Sequence, residues 1–146
     1  MKTLLAPIDF SQATNAVLEE VSQLAKDLPA DVILMHSTQP PIVTSDFGLA
    51  VENVQEITSV MAKNAEQQLA HSLGFMQERD VKARIHHCNG SAVTCIVEQA
   101  KQENVDYFVM GSHGHTEIYD LLVGSTTHGV LKNAPCPVII TPPDRD

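Results

Sequence analysis

The sequence predicts an α/β fold in which a doubly wound, open parallel sheet of five strands carries helices on both faces. Two observations predict it: short apolar runs alternate with longer stretches of helical period, and no internal repeat or low-complexity segment interrupts them. Strands that alternate with helices are joined by right-handed crossovers, which produce a mainly parallel sheet. The chain has 146 residues, so we expect a single domain over residues 1–146.

The first half of the chain predicts two strands and two helices. Residues 3–8 form a short apolar run, and Ser11 can cap the helix that follows. Residues 31–36 are continuously apolar, as a strand covered on both faces requires. We expect a loop over residues 37–50 and then a long helix that Gly74 ends in a left-handed conformation. The apolar stripes of the two helices are Ala13, Val17, Val21, Leu24 and Leu28, and Val54, Ile57, Met61, Ala65 and Leu69.

The second half predicts three strands and two helical regions. Residues 81–86 alternate apolar and polar side chains, which is typical of an edge strand. Ser91 can cap the next helix. Residues 106–110 form the fourth strand and residues 135–141 the fifth, with a glycine-interrupted helical region between them. Prolines around the last run place it at the edge of the sheet, because proline donates no hydrogen bond to a neighbouring strand.

Charge and cysteine content exclude several classes of protein. The chain has 9 Lys and Arg against 18 Asp and Glu, a net charge of −9, so we expect neither nucleic acid nor membrane as a partner. The N-terminal apolar run is too short for a signal peptide, which predicts a cytoplasmic protein.

The chain has three cysteines, an odd number, and all lie in apolar segments: Cys88, Cys95 and Cys136. We therefore expect buried, reduced thiols and no disulfide.

A cluster of glycines follows the predicted fourth strand. The pattern G-x2-G-x9-G-[ST] consists of Gly111-Ser-His-Gly114 and Gly124-Ser-Thr126, with nine residues between the two segments. Backbone N–H groups after a strand and at the start of a helix are both suited to bind oxygen anions such as phosphate. Simpler roles stay open, because the first glycines can turn the chain and Ser125 can cap a helix. The pattern is neither a P-loop nor a dinucleotide-binding fingerprint.

These residues resemble the universal stress protein family, and the similarity extends over nearly the whole chain. Four segments carry it: Leu5-Ala-Pro-Ile-Asp9-Phe-Ser11, Val32-Ile-Leu-Met-His36, Asp106-Tyr-Phe-Val-Met-Gly-Ser-His-Gly114, and the stretch from Val123-Gly-Ser-Thr126 to Cys136-Pro-Val-Ile-Ile140. The resemblance implies a five-stranded parallel sheet in the order 3-2-1-4-5, with a nucleotide across the carboxyl ends of strands 1 and 4. An open α/β sheet is expected to hold its ligand at that point. The glycine spacing is the form found in the ATP-binding branch of the family.

The resemblance also implies which residues bind ATP or AMP. Pro7, Ile8 and Asp9 would contact the adenosine end, and the backbone of Ser37 would bind the edge of adenine. Mg²⁺, if carried by the nucleotide, would lie near Asp9. The ribose and phosphates would contact Met110, Gly111, His113, Gly114, Gly124, Ser125 and Thr126. The family usually has an apolar residue at the positions of Ser37 and Thr126; a backbone contact tolerates the first change, and the second adds a hydroxyl donor.

The function implied is that of a cytoplasmic stress-response regulator whose state depends on ATP. A homodimer would form through the last strand, at Val138–Ile140, because an open apolar sheet edge needs a partner and the family commonly pairs there. The sequence does not predict which protein reads this state. Two alternatives stay open: a nucleotide-free dimeric interaction protein of the same fold, and a slow ATP hydrolase.

Enzymatic and metal-binding functions have weaker support in the sequence. No Walker lysine or arginine finger is visible, so any ATP hydrolysis should be slow. No pattern places a base against Ser112, which argues against a hydrolytic triad of Ser112 and His113 with Asp9 or Asp120. The adjacent His86 and His87 would point to opposite faces of a strand, and the pair His113 and His115 has no cysteine or carboxylate pattern nearby.

Overall fold

The chain is described by a computed structural model that covers residues 1–39, 50–113 and 123–142; in residues 50–54 only the backbone is described. Strands and helices alternate throughout, as the sequence predicts. The elements are β1 (Lys2–Pro7), α1 (Thr14–Asp27), β2 (Ala30–Thr38), α2 (Ala50–Glu78), β3 (Ala83–Asn89), α3 (Ala92–Gln102), β4 (Tyr107–Gly111), α4 (Ser125–Asn133) and β5 (Val138–Thr141).

The strands form one parallel sheet in the order β3-β2-β1-β4-β5. This confirms the predicted α/β class and strand order. From β1 the chain winds first toward β2 and β3 and then toward β4 and β5, so the direction of winding changes between β1 and β4. At such a change the connections leave the sheet in opposite directions, which opens a crevice at the carboxyl ends of the strands.

Two apolar cores lie on opposite faces of the sheet because side chains alternate along each strand. In β1, Leu4 and Ala6 pack toward α1 and α2, whereas Leu5 packs toward α3 and α4. In β4, Val109 belongs to the first core and Phe108 to the second. The central strands are therefore covered on both faces, which is why they are continuously apolar.

Two helix boundaries differ from the prediction. The N-cap of α1 is Ala13, and the Ser11 hydroxyl instead accepts a hydrogen bond from the Ala13 N–H at 3.2 Å. Helix α2 continues through Gly74 to Glu78. The left-handed residue that reverses the chain is Asp80, with φ 57°, and the fully buried Met76 in the added turn favours the longer helix.

Two further expectations for this region are wrong. Ile57, predicted to lie in the core stripe of α2, is 48% exposed, because α2 buries its later residues Ala65 and Leu69 instead. The sequence predicts a loop over residues 37–50, but residues 37 and 38 belong to β2 and Ala50 is the first residue of α2. Residues 40–49 and the side chain of Val54 lie outside the described part of the chain.

The expectation of reduced thiols is wrong for two of the cysteines. Cys88 near the end of β3 and Cys95 in the first turn of α3 form a disulfide, with Cα atoms 6.3 Å apart. A tight turn brings them together, and its Gly90 adopts φ 143°, a conformation that L side chains rarely adopt. Cys136 is free and half-buried, and burial raises the pKa of its thiol.

Candidate functional site

A cavity of about 280 Å³ opens at the carboxyl ends of the central strands. All the predicted site residues that the structure describes line this one cavity: Pro7, Ile8, Asp9, Ser37, Met110, Gly111, His113, Gly124, Ser125 and Thr126. Gly114 lies outside the described residues. The cavity is where the winding of the sheet changes direction, and it brings together segments more than 100 positions apart in the sequence.

The N-terminus of α4 forms one wall of the cavity. Gly124 is the N-cap, and the first helical hydrogen bond runs from the His128 N–H to the Gly124 carbonyl at 2.9 Å. The N–H groups of Ser125, Thr126 and Thr127 therefore have no acceptor within the helix. They carry the positive end of the helix dipole, which attracts anions. This wall can bind an oxygen anion.

Backbone hydrogen bonds fix this helix against the end of β4. The Gly124 N–H donates to the Ser112 carbonyl at 2.7 Å, and the Ser112 N–H donates to Thr141 at the end of β5 at 3.0 Å. Gly124 thus positions the helix and directs its own N–H away from a ligand. At Gly111, an added Cβ would lie 3.5 Å from Val17 and 3.6 Å from Ala13, which is ordinary van der Waals contact, so the packing of α1 against β4 does not itself require glycine there.

Asp9 forms the turn between β1 and α1 and also lines the cavity. Its carboxylate oxygen Oδ1 accepts a hydrogen bond from the Ser11 N–H at 3.0 Å, a turn in which an Asp side chain replaces a backbone carbonyl. The next residue, Phe10, takes a left-handed φ of 61°, which is unusual for a bulky side chain. Asp9 therefore both forms the turn and lies at the cavity.

The backbone of Ser37 faces the cavity because β1 ends before β2 does. The Met35 carbonyl accepts from the Ile8 N–H at 2.8 Å, on the β1 side, and the Thr38 carbonyl accepts from the Gly90 N–H at 2.9 Å, on the β3 side. Backbone groups alternate in direction along a strand, so Ser37 points to the β1 side. Pro7 is the last residue of β1, and the space beyond it is the cavity.

A row of rings lies beside the cavity and includes a lining residue that the sequence did not single out. His36 lines the cavity, and its Nδ1 donates to the Ile8 carbonyl at 2.7 Å, because a carbonyl can only accept. Its ring lies 4.3 Å from that of Phe10 and 6.3 Å from that of His87, centroid to centroid. Burial, followed by the charge of His36, lowers the pKa of His87.

Other lining residues were also missed: Ala13, Thr14, Val17, Met35, Ala92, Ile96 and Thr127. Most are apolar residues of helices and strands, whose place at a cavity follows from packing and has no signal in the sequence. Thr14 is different, because its side-chain oxygen is buried and has no hydrogen-bond partner among the described residues. A buried hydroxyl of this kind is satisfied when a polar ligand or water fills the site.

The charge of the cavity is unusual for a site that binds phosphate. No Lys or Arg is present among the described lining residues, and Asp9 is the only carboxylate there. The part of the chain that the structure describes also has no group of three or more His, Cys, Asp or Glu placed to hold a metal ion. The helix amides supply positive potential at this cavity, and a cation that arrives with the ligand would add to it.

The arrangement of Ser112 does not favour a hydrolytic triad. Its hydroxyl lies 3.1 Å from Nδ1 of His113, but the residue is buried, 7% exposed, and does not line the cavity. A nucleophile must be accessible to its substrate, and a buried serine outside the cavity lining is not. Asp120 and His115 lie outside the described residues.

Over the described ranges, no helix combines the length and apolarity needed to cross a bilayer.

The comparisons with known proteins agree with this architecture. The family model of the universal stress protein family matches residues 1–142. The chain belongs to the universal stress protein family. Universal stress protein MJ0531 of Methanocaldococcus jannaschii is 29% identical over 140 residues, which are 95% of this chain and 81% of that protein.

Solved structures of the universal stress protein fold superpose over nearly the entire chain. The structure of MJ0577 from Methanocaldococcus jannaschii has a TM-score of 0.85 at 26% identity and covers 99% of this chain and 98% of that one. A universal stress protein from Archaeoglobus fulgidus, solved in complex with dAMP, has a TM-score of 0.68 at 20% identity and covers 96% and 97%. The second match concerns the fold alone.

Proposed function

We propose that this universal stress protein binds an adenine nucleotide, ATP or AMP, in the cavity between β1 and β4 and acts as a nucleotide-dependent dimeric regulator. The observation that carries the proposal is the convergence of the end of β4 and the amide-rich N-terminus of α4 on one cavity. A helix N-terminus attracts phosphate. The dAMP complex of the Archaeoglobus fulgidus relative shows that this fold can hold an adenine nucleotide.

The two ends of the cavity differ in a way that suits the two ends of a nucleotide. At one end, Ser37 directs backbone groups into the space beyond Pro7, where an adenine edge can exchange hydrogen bonds with them. At the other end, Ser125 and Thr126 add exposed hydroxyls to the helix amides. Apolar side chains such as Met110 lie between these ends, and a purine face packs well against apolar side chains.

Because no Lys or Arg is among the described lining residues, ATP would bind together with a cation. Four phosphate charges at a site whose only described carboxylate is Asp9 need compensation. Mg²⁺ bound to the phosphates would supply it, because Mg²⁺ is usually held through substrate phosphates and one or two carboxylates. The ligand that we propose is therefore MgATP, with Asp9 as the one carboxylate among the described lining residues.

The test is the introduction of a negative charge at the first residue of α4. Ser125 is exposed at a helix N-terminus, where a glutamate is compatible with the helix dipole. We expect Ser125→Glu to fold normally and to weaken MgATP binding, measured by calorimetry, by about tenfold or more. Glutamine has the size of glutamate but no charge, so Ser125→Gln should weaken binding much less.

Two results would contradict the proposed phosphate site. If wild-type protein binds neither MgATP nor AMP at millimolar concentration, or if Ser125→Glu binds as tightly as Ser125→Gln, the phosphate site is wrong. The absence of Lys and Arg from the described lining favours the second candidate function in that case, a nucleotide-free dimeric interaction protein. Mass spectrometry of nucleotides extracted from gently purified protein would identify the bound species directly.

A further inference from the structure

We propose that the Cys88–Cys95 disulfide is a thiol–disulfide exchange site through which low-molecular-weight thiols and disulfides change the cavity wall formed by α3. The bond joins the end of β3 to the first turn of α3 across a separation of seven residues. The exchange site stands on the cysteine geometry alone. The effect on nucleotide affinity rests on the proposed function, and the two parts are tested separately below.

Both sulfur atoms belong to residues next to the cavity lining. In the sheet, Cys88 of β3 is the register partner of Ser37 of β2, which lines the cavity. In α3, Cys95 lies between the lining residues Ala92 and Ile96. The disulfide therefore connects the strand beside the proposed adenine end to the helix that covers it.

The two sulfur atoms differ in their access to solvent, which determines the direction of attack. Cys95 is buried, 7% exposed, whereas Cys88 is half-buried. A small thiolate can approach the sulfur of Cys88, so Cys95 is the leaving group. Cys95 is in the first turn of α3, where the positive end of the helix favours a thiolate and offsets part of the cost of its burial.

The exchange balances in two steps. A low-molecular-weight thiolate, such as that of glutathione, attacks the sulfur of Cys88; a mixed disulfide forms there, and Cys95 leaves as a thiolate that takes up a proton. A second thiolate attacks the small-molecule sulfur of the mixed disulfide, which releases Cys88 as a thiolate and the small-molecule disulfide. Overall, two small thiols lose two electrons and two protons, and the protein disulfide gains them. The reverse reaction oxidises the protein.

Reduction changes how firmly α3 is held. In the oxidised protein, the covalent bond and the hydrogen bond from the Gly90 N–H to the Thr38 carbonyl both hold the turn between β3 and α3. In the reduced protein, the covalent link is lost and the turn still contains Gly90, the residue type with the greatest backbone freedom. A wall that is less preorganised binds its ligand more weakly. We expect the reduced protein to bind MgATP about threefold to tenfold more weakly.

The exchange site is tested first, without nucleotide. Protein equilibrated with glutathione disulfide should show one thiol per chain after denaturation, that of Cys136, and protein equilibrated with excess glutathione should show three. Cys136→Ala is the matched variant, in which each count should fall by one. Hydrogen exchange at the amides of residues 92–96 should be faster in the reduced protein. Three thiols in the presence of excess glutathione disulfide, or identical exchange in both forms, would overturn the proposal.

The coupling to the cavity is tested second, by calorimetry with MgATP. Cys88→Ser/Cys95→Ala mimics the reduced state and should bind like reduced wild-type protein whether or not reductant is present. Equal affinity of oxidised and reduced wild-type protein would refute the coupling while leaving the nucleotide site intact. If neither form binds MgATP, the proposed function fails, and the exchange site is then judged on the thiol counts and on the hydrogen exchange of α3.

Discussion

Thr127 donates its side-chain hydroxyl to the backbone carbonyl of Gly111 at 2.9 Å. The first residue lies in the first turn of α4 and the second at the end of β4. The bond therefore joins the two glycine-rich halves of the sequence pattern, which are separated by residues 115–123. It holds the helix N-terminus at the cavity, so that the amides of Ser125 and Thr126 face the space beyond the strand.

The first prediction concerns this bond. Thr127 is buried, 4% exposed, so Thr127→Val keeps the packing but leaves the Gly111 carbonyl without its donor. We expect the free energy of unfolding, measured with urea, to fall by about 1–2 kcal/mol. MgATP affinity should fall as well, because the helix N-terminus is less firmly placed. Thr127→Ser retains the hydroxyl and should lose much less of both. Equal losses in the two variants would contradict a role for the hydrogen bond.

The second prediction compares two glycines that lie within helices, Gly129 of α4 and Gly74 of α2. A Cβ at Gly129 of α4 would lie only 2.7 Å from Cγ2 of Val93 in α3, whereas a Cβ at Gly74 of α2 meets nothing within 4 Å. A valine in a helix has little freedom to turn away. Gly129→Ala should therefore lower the free energy of unfolding by about 1 kcal/mol, even after the gain in helix propensity.

The matched control is Gly74→Ala, which should raise the free energy of unfolding by about 0.5–1 kcal/mol, because alanine favours the helix and no neighbour must move. The double variant Gly129→Ala/Val93→Ala should recover part of the loss. Denaturant titrations of the single and double variants measure all three effects. Stabilisation by Gly129→Ala would mean that α3 and α4 do not pack as described.

The strands and the glycine-rich segments that meet at the cavity were predictable because each depends on local sequence. A strand buried on both faces must be continuously apolar, which makes β2 easy to recognise. Anion binding by backbone N–H groups needs a glycine-rich turn and a helix start, which leave a pattern at Gly111 and Gly124. Both features are encoded within short segments.

The remaining features depend on tertiary packing and have no local pattern. The helix α2 ends at Glu78 and not at the predicted Gly74, because burial of Met76 outweighs the local preference of glycine. Ala92 and Ile96 became cavity residues only because α3 packs against β2 and α4. The disulfide of Cys88 and Cys95 arises from the tight turn between β3 and α3, and its spacing matches no common motif.

The third prediction tests the proposed dimer through the last strand. Strand β5 lies at one edge of the sheet and β3 at the other. Ile140 in β5 and Ile85 in β3 are equally exposed, at 36%. If two copies pair through β5, Ile140→Lys buries a lysine in the interface and should weaken the dimer about a hundredfold. Ile85→Lys places the same charge on the opposite edge and should leave the dimer intact. Sedimentation velocity distinguishes them, and a monomeric wild-type protein, or equal effects of both changes, would exclude this interface.

The fourth prediction concerns the pH dependence of stability. Burial is the main cause of the lowered pKa of His87; the charges of His36 and His86 add to it, and that of Glu66 in α2 opposes it. Between the lowered pKa and the ordinary value near 6.5, the unfolded chain binds more protons than the folded one. The contribution of His87 to stability is therefore fully present above about pH 6.5 and is lost as the pH falls.

His87→Gln should make the free energy of unfolding less dependent on pH between about pH 7 and pH 5 than in wild-type protein. The glutamine amide can still donate a hydrogen bond to the Thr38 hydroxyl, which lies 2.7 Å from Nε2 of His87, so folding should be preserved. His86→Gln is the matched control, because it removes the neighbouring imidazole from the opposite face of the strand and should keep most of the wild-type dependence. Urea titrations across this pH range measure the slopes. If the two variants lose the same share of the pH dependence, burial of His87 does not control it.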